Sequence, residues 1–210
     1  MSAIKESSDE LNPAIDVSST AIARGKGTRT FCDYVALAIA TCGVGYFPIA
    51  PGTLGALVGV ALYVTIWESL YRLLETNALR GHLNLLYIFT PLMAAMLLLI
   101  VLVTVAGTWA ATRAEKVMQR KDPSAVVIDE VAGQMIALLS GPFWLPKWWS
   151  ILTAFILFRL FDIWKPYPIR RFEALESGLG IMADDLLAGI YALIVNSLLI
   201  AGYLLIFPRA

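Results

Sequence analysis

"LNLLYIFTPLMAAMLLLIVLVTVAGTWAA", Leu83 to Ala111, runs without one charged side chain. About twenty apolar residues cross the hydrocarbon core of a bilayer as a helix, so this stretch can cross it with some tilt. Reading outward, Leu186 to Phe207 is a second crossing, interrupted only by Asn196 and Ser197. Thr53 to Trp67 is shorter but uniformly apolar. Val131–Leu145 and Trp148–Ile163 are rather short to cross at about 1.5 Å rise per residue. They read as a helical hairpin whose turn, "GPFWLPKWW", sets Trp144, Trp148 and Trp149 at the lipid interface. Phe31 to Cys42 is too short to span and reads as a segment lying on, or dipping into, the membrane. Strand alternation is nowhere sustained. The expected fold is an all-α, multi-helical integral membrane protein with short broken helices around a polar site. It comprises a polar tail, 1–30, and a helical membrane domain, 31–210.

Composition agrees. Of 210 residues 59% are hydrophobic, above the roughly 45–50% of soluble domains. Only 15% are charged, and the mean hydropathy is +0.73. Sixteen basic and sixteen acidic side chains cancel, which argues against a nucleic-acid binder. Cys32 and Cys42, ten apart with a lone His82 elsewhere, have no metal or redox spacing and read as structural thiols. The first thirty residues are polar, carry Glu6, Asp9, Glu10 and Asp16, and lack the apolar core of a secretory signal.

Basic residues set an orientation. With Leu83–Ala111 running inward, Arg113, Lys116, Arg120, Lys121, Arg159, Lys165, Arg170 and Arg171 fall inside. Arg72, Arg80, Lys147 and Arg209 fall outside, as the positive-inside rule asks. Three unusual segments then share the cytoplasmic side: Gly43–Gly55, Asp122–Gly133 and Arg159–Gly189.

Those segments hold the residues fit for chemistry. "VVIDEVAG" and "IMADDLLAG" each set adjacent acids, Asp129–Glu130 and Asp184–Asp185, in an apolar run. Asp129 precedes Gly133 by four and Asp185 precedes Gly189 by four, so each acid shares a helix face with a missing side chain. That clearance admits a close-packed helix or a ligand. Asp122–Pro123 reads as an N-cap followed by a first-turn proline, which puts Asp129 in the second turn of its helix. Acids at membrane depth are costly and usually functional, and a hard divalent cation such as Mg²⁺ relieves them. Arg159, Asp162 and Lys165 recur at spacings of three until Pro166 and Pro168 break the helix, with Arg170 and Arg171 just after. Guanidinium forks and a lysine charge suit phosphate oxygens, while an Arg159–Asp162 ion pair or a lipid-gripping basic cuff is the structural alternative. Thr53 reads as the N-cap of the helix after "PIAPG", offering backbone N–H groups to an anion. No cysteine-phosphatase loop, Asp-x-Asp motif or phosphate-binding Gly-rich loop is present.

Four blocks, "GVGYFPIAPGTLGAL", "DPSAVVIDEVAGQMIAL", "FILFRLFDIWKPYPIRRFE" and "GLGIMADDLLAGIYA", together resemble the phosphatidylglycerophosphatase A family, in family order over about Ala40 to Ala192. The family's "PGT-G" falls on Pro51, Gly52, Thr53 and Gly55, and its "DE--G" on Asp129, Glu130 and Gly133. Its "FR-FD--KP-PI" falls on Phe158, Arg159, Phe161, Asp162, Lys165, Pro166, Pro168 and Ile169. Its "G-GIM-DD--AG" falls on Gly178, Gly180, Ile181, Met182, Asp184, Asp185, Ala188 and Gly189. Ala56, where the family often has Ser, and the long tail are mild departures. The resemblance implies a Mg²⁺-dependent phosphatase of the bacterial inner membrane that converts phosphatidylglycerophosphate to phosphatidylglycerol on the cytoplasmic side. It also implies Asp129, Glu130, Asp184 and Asp185 as Mg²⁺ ligands, with Asp162 a further candidate. Thr53, Arg159, Lys165 and Arg170 would bind phosphate. The implied partners are an anionic phospholipid and the bilayer itself. Two rival classes are a membrane carrier, which would spread its acids across membrane depth, and a CDP-alcohol phosphotransferase, which expects a longer Asp-rich signature.

Overall fold

The computed structural model describes residues 29–81, 86–140, 148–172 and 177–207. Seven α-helices follow in order: α1 (Phe31–Thr41), α2 (Pro51–Gly81), α3 (Leu86–Met118), α4 (Ile128–Leu138), α5 (Trp148–Trp164), α6 (Ile169–Phe172) and α7 (Ser177–Ile206). A single 3₁₀ turn, Val44–Tyr46, lies between α1 and α2, and the described residues contain no strand. The all-α membrane fold is therefore as expected. The tail up to residue 28, the hairpin turn with Trp144 and Lys147, His82 and Arg209 lie outside the described residues, as does the side chain of Arg80.

Among the described residues three helices are long and apolar enough to cross a membrane: Pro51–Thr76, Tyr87–Met118 and Gly178–Ile206. Their outer faces are apolar and uncovered, with Leu98, Val101, Leu102 and Val105 on α3 and Ile194, Leu198 and Leu199 on α7. The first of them differs from expectation at both ends. Pro51 itself takes the first helical position, where its missing N–H goes unneeded, so Thr53 lies inside the first turn rather than capping it. Past Trp67 the helix continues through "ESLYRLLET", whose Arg72 Nε pairs with Glu68 Oε2 at 3.4 Å one turn earlier.

The 11-residue α4 is the centre of the bundle, packed against α2, α3, α5 and α7. All its residues except Glu130 and Ile136 are buried, so protein covers it where lipid would otherwise lie. It starts at Ile128, which corrects the early start at Asp122–Pro123. Asp122 takes a left-handed φ of 45°, and the Val126 N–H donates back to the Pro123 carbonyl at 2.8 Å, closing a turn. The Val127 N–H then donates to the Ala40 carbonyl of α1 at 2.8 Å. A segment tied to α1 in this way delays the helix until the next residue.

The α4–α7 contact is made through glycine. A Cβ on Gly133 would stand 2.5 Å from the Asp185 carbonyl oxygen and 2.6 Å from the Phe158 ring, and a Cβ on Gly189 would collide with the Gly133 carbonyl. The clearance one turn beyond each acid thus admits a neighbouring backbone. Deeper in the bundle Asn196 of α7 is fully buried and fully bonded. Its Nδ2 donates to Ser140 Oγ (2.6 Å) and to the Ser150 carbonyl (3.1 Å), and the Thr153 hydroxyl lies 2.7 Å from its Oδ1. The interruption in the last span is the fastening of the α4–α5 hairpin.

Adding a side chain at the glycine contact should force α4 and α7 apart. Gly189→Val is expected to lose about 1–3 kcal/mol of stability, seen as a thermal midpoint several degrees lower in detergent. Gly202→Val, on the same helix with nothing within 4 Å of its would-be Cβ, should leave the midpoint unchanged.

Candidate active site

The start of α2, the turn before α4, the first turn of α4, the end of α5 and the second and third turns of α7 meet at one end of the bundle. They enclose a cavity of about 340 Å³. All three segments singled out in the sequence contribute to it: Ala50, Pro51 and Gly52; Asp122, Ser124, Val126, Asp129 and Glu130; Arg159, Asp162, Lys165, Ile181, Asp184 and Asp185.

The two acidic doublets come together unequally. Asp129, Glu130 and Asp185 each bring one carboxylate oxygen to within 4.8 Å of the others. Asp184, the remaining acid, accepts from Lys165 Nζ at 2.7 Å. Asp162 accepts from Arg159 Nη1 at 2.5 Å, the i,i+3 pair that the helical spacing allowed. Lys165 reaches its place because α5 stops there: it has a left-handed φ of 46°, and its N–H still donates to the Phe161 carbonyl at 2.8 Å. Arg159 leans over the first turn of α2, its Nη1 only 3.2 Å from where a Gly52 side chain would begin.

Two sequence-derived candidates stay outside the cavity. Thr53 does not line it, although the N-terminus of α2 does so through Ala50, Pro51 and Gly52. Arg170 is exposed on the short α6 and is not among the lining residues. Beside it the Arg171 guanidinium stacks 4.9 Å above the Tyr167 ring. In turn, Asp122 and Ser124 line the cavity without having been read as site residues. In sequence Asp122–Pro123 reads as a helix cap, and Ser124 after it carries no signal of its own.

Electrostatics set what this cavity can hold. Six carboxylates line it against two cations. Asp129, Asp184 and Asp185 are buried, and Asp129 Oδ1, Glu130 Oε2 and Asp184 Oδ1 have no hydrogen-bond partner among the described residues. Burial, then the neighbouring Glu130 and Asp185 charges, push the Asp129 carboxyl well above the usual carboxylate range. Burial also raises Glu130, against the pull of hydrogen bonds and the Arg159 charge. The start of α4 at Ile128 places both acids in its first turn, where the helix dipole favours negative charge by about 0.3–1 kcal/mol. That is small beside the cost of burying several carboxylates together. Two acids of the cluster, Asp129 and Glu130, carry an orphaned oxygen, and with Asp185 beside them they form the donor set that a hard divalent cation takes.

The sequence matches the profile described as phosphatidylglycerophosphatase A over residues 37–200, a range that includes every cavity residue. A protein of Bacteroides thetaiotaomicron named "Putative phosphatidylinositol-3-phosphatase" is 42% identical over 153 residues, covering 73% of this chain and 85% of the relative. The phosphatidylglycerophosphatase A of Haemophilus influenzae is 38% identical, over 73% of this chain and 80% of its own. That of Escherichia coli is 30% identical, over 70% and 73%. No solved structure matches the chain. With a profile spanning most of its length and relatives similar over most of theirs, the chain belongs to the phosphatidylglycerophosphatase A family of phosphatases.

Proposed function

We propose that this chain hydrolyses the terminal phosphomonoester of phosphatidylglycerophosphate, releasing phosphatidylglycerol and inorganic phosphate, with Mg²⁺ held by Asp129, Glu130 and Asp185. The observation that carries the reading is the charge of the cavity. Six acids facing two bases would repel a phosphate dianion unless a cation joins them. Bound Mg²⁺ supplies the positive charge that both the carboxylates and the phosphate oxygens require.

The chain's own residues then have separable tasks. Arg159 and Lys165, each oriented by an acid, Asp162 and Asp184, hold phosphoryl oxygens and stabilise their charge in a loose transition state. The N–H groups opening α2 add a further anion-binding edge. One water is consumed: its oxygen bonds to phosphorus, the bond from phosphorus to the glycerol oxygen breaks, and that oxygen takes up a proton.

Membrane depth fits a lipid substrate. From Leu186 to Ile206 α7 is about 31 Å long at 1.5 Å per residue, close to the roughly 30 Å of a hydrocarbon core. Asp184 and Asp185 then sit just outside the acyl region, level with a lipid head group. Arg113, Lys116, Arg120 and Lys121 cluster at this end of α3, which supports the cytoplasmic face of a bacterial inner membrane. The Bacteroides relative favours a second substrate reading, an inositol lipid phosphate with the same kind of monoester.

Phosphate release by the purified chain in detergent, with both lipids and with Mg²⁺ or chelator, tests the reading. Mg²⁺-dependent release from phosphatidylglycerophosphate is expected to exceed that from phosphatidylinositol 3-phosphate; none from the former would sink the assignment. Asp129→Asn and Asp185→Asn should each cost at least about tenfold in rate, near 1.4 kcal/mol of transition-state stabilisation, with the fold kept. Lys165→Ala should lose about 10²–10³-fold, as removal of a transition-state charge donor does. Arg170→Ala, outside the cavity, should stay within about threefold of the parent.

A further inference from the structure

Gln134 is fully buried in α4, and neither its Nε2 nor its Oε1 has a hydrogen-bond partner among the described residues. A buried polar group left unpaired forfeits its hydration with nothing in exchange. The same bundle bonds its other fully buried amide, Asn196, on both sides. Gln134 is therefore the exception.

Its position says what it serves. A Cβ on Gly59 of α2 would stand 3.0 Å from Gln134 Cβ, and one on Gly55, a turn earlier, 3.4 Å from Glu130 Cβ. Glu130 and Gln134 thus stack, four residues apart, on the α4 face turned to α2. Helical side chains lean toward the N-terminus and cover the preceding turn, a direction that leads from Gln134 toward Glu130. Glu130 Oε2 is itself buried and has no partner among the described residues. The α2 residue packed against Gln134 is Gly59, which has no side chain to serve as its partner. An amide donor, an amide acceptor and a carboxylate oxygen are the two to four polar partners one buried water needs.

We propose that Gln134 is a positioning residue of the carboxylate cluster: through one ordered water its amide fixes the Glu130 carboxylate, and thereby sets the cluster's affinity for a divalent cation. The water donates one hydrogen to Glu130 Oε2 and accepts from Gln134 Nε2. Its second hydrogen is free for Gln134 Oε1. This rests on the cation reading above, and the test separates the two.

The experiment is Mn²⁺ binding to the purified full chain in detergent, followed by paramagnetic resonance of the free ion, with thermal midpoints measured in chelator. Gln134→Met keeps the volume and removes the amide. Its Mn²⁺ affinity should fall about 10–100-fold, the usual effect of losing an outer partner of a metal ligand, while its cation-free midpoint stays level or rises. Gln134→Asn keeps a shorter amide and should fall between the two. Unchanged affinity in folded Gln134→Met overturns the role, as does a lowered midpoint with unchanged affinity. Should Gln134→Met not fold, unchanged affinity in Gln134→Asn does the same. Absence of Mn²⁺ binding by the parent chain overturns the cation reading and this role with it; binding by the parent that Gln134→Met matches overturns this role alone.

Discussion

Carboxylates withdrawn from water at the end of a membrane bundle are the constraint on which the rest of this structure depends. Asp129, Asp184 and Asp185 are buried, and the first and last of them share a cluster with Glu130. Burying one ion without compensation costs several kcal/mol, so the fold must surround these with positive charge or hydrogen bonds. It spends its cations sparingly: Lys165 on Asp184, Arg159 on Asp162. The trio that receives neither is the part left for a ligand to complete.

A short central helix makes this possible. Because α4 is packed against α2, α3, α5 and α7, it can carry two acids in its first turn, and Gln134 in an otherwise apolar remainder, without meeting lipid. Its eleven residues end where Ser140 meets Asn196. The hairpin is thus held to α7 by hydrogen bonds near its turn and by the Lys165–Asp184 pair at its open end, with apolar packing between. Non-spanning backbone at membrane depth is tolerated where protein encloses it.

Much of this was legible in the residues. Length and hydropathy found the long spans, the doublets with their following glycines found the cluster, and the Arg159–Asp162 pair followed from spacing along one helix. What escaped were features set by tertiary context. Nothing local separates Asp122–Pro123 as a cap from Asp122–Pro123 as a turn; the bond from Val127 to Ala40, across the chain, decides it. Thr53 lost its capping place because Pro51 could start the helix three residues sooner than a Thr53 cap would. The Lys165–Asp184 pair bridges two helices and has no sequence spacing to betray it. Gln134 read as one more residue of an apolar helix, because burial without a partner is visible only in three dimensions.

The glycine contact between α4 and α7 has a geometric consequence for the chemistry. Both helices begin at the cavity end, and each carries its cluster acid one turn, four residues, before its contact glycine. The crossing therefore works as a ruler, setting Asp129 and Asp185 at equal height above a shared pivot. A slip of one residue along either helix would turn its acid by about 100° and shift it about 1.5 Å, dispersing the cluster with every ligand intact. The spacing of the acids is written in two residues that have no side chains.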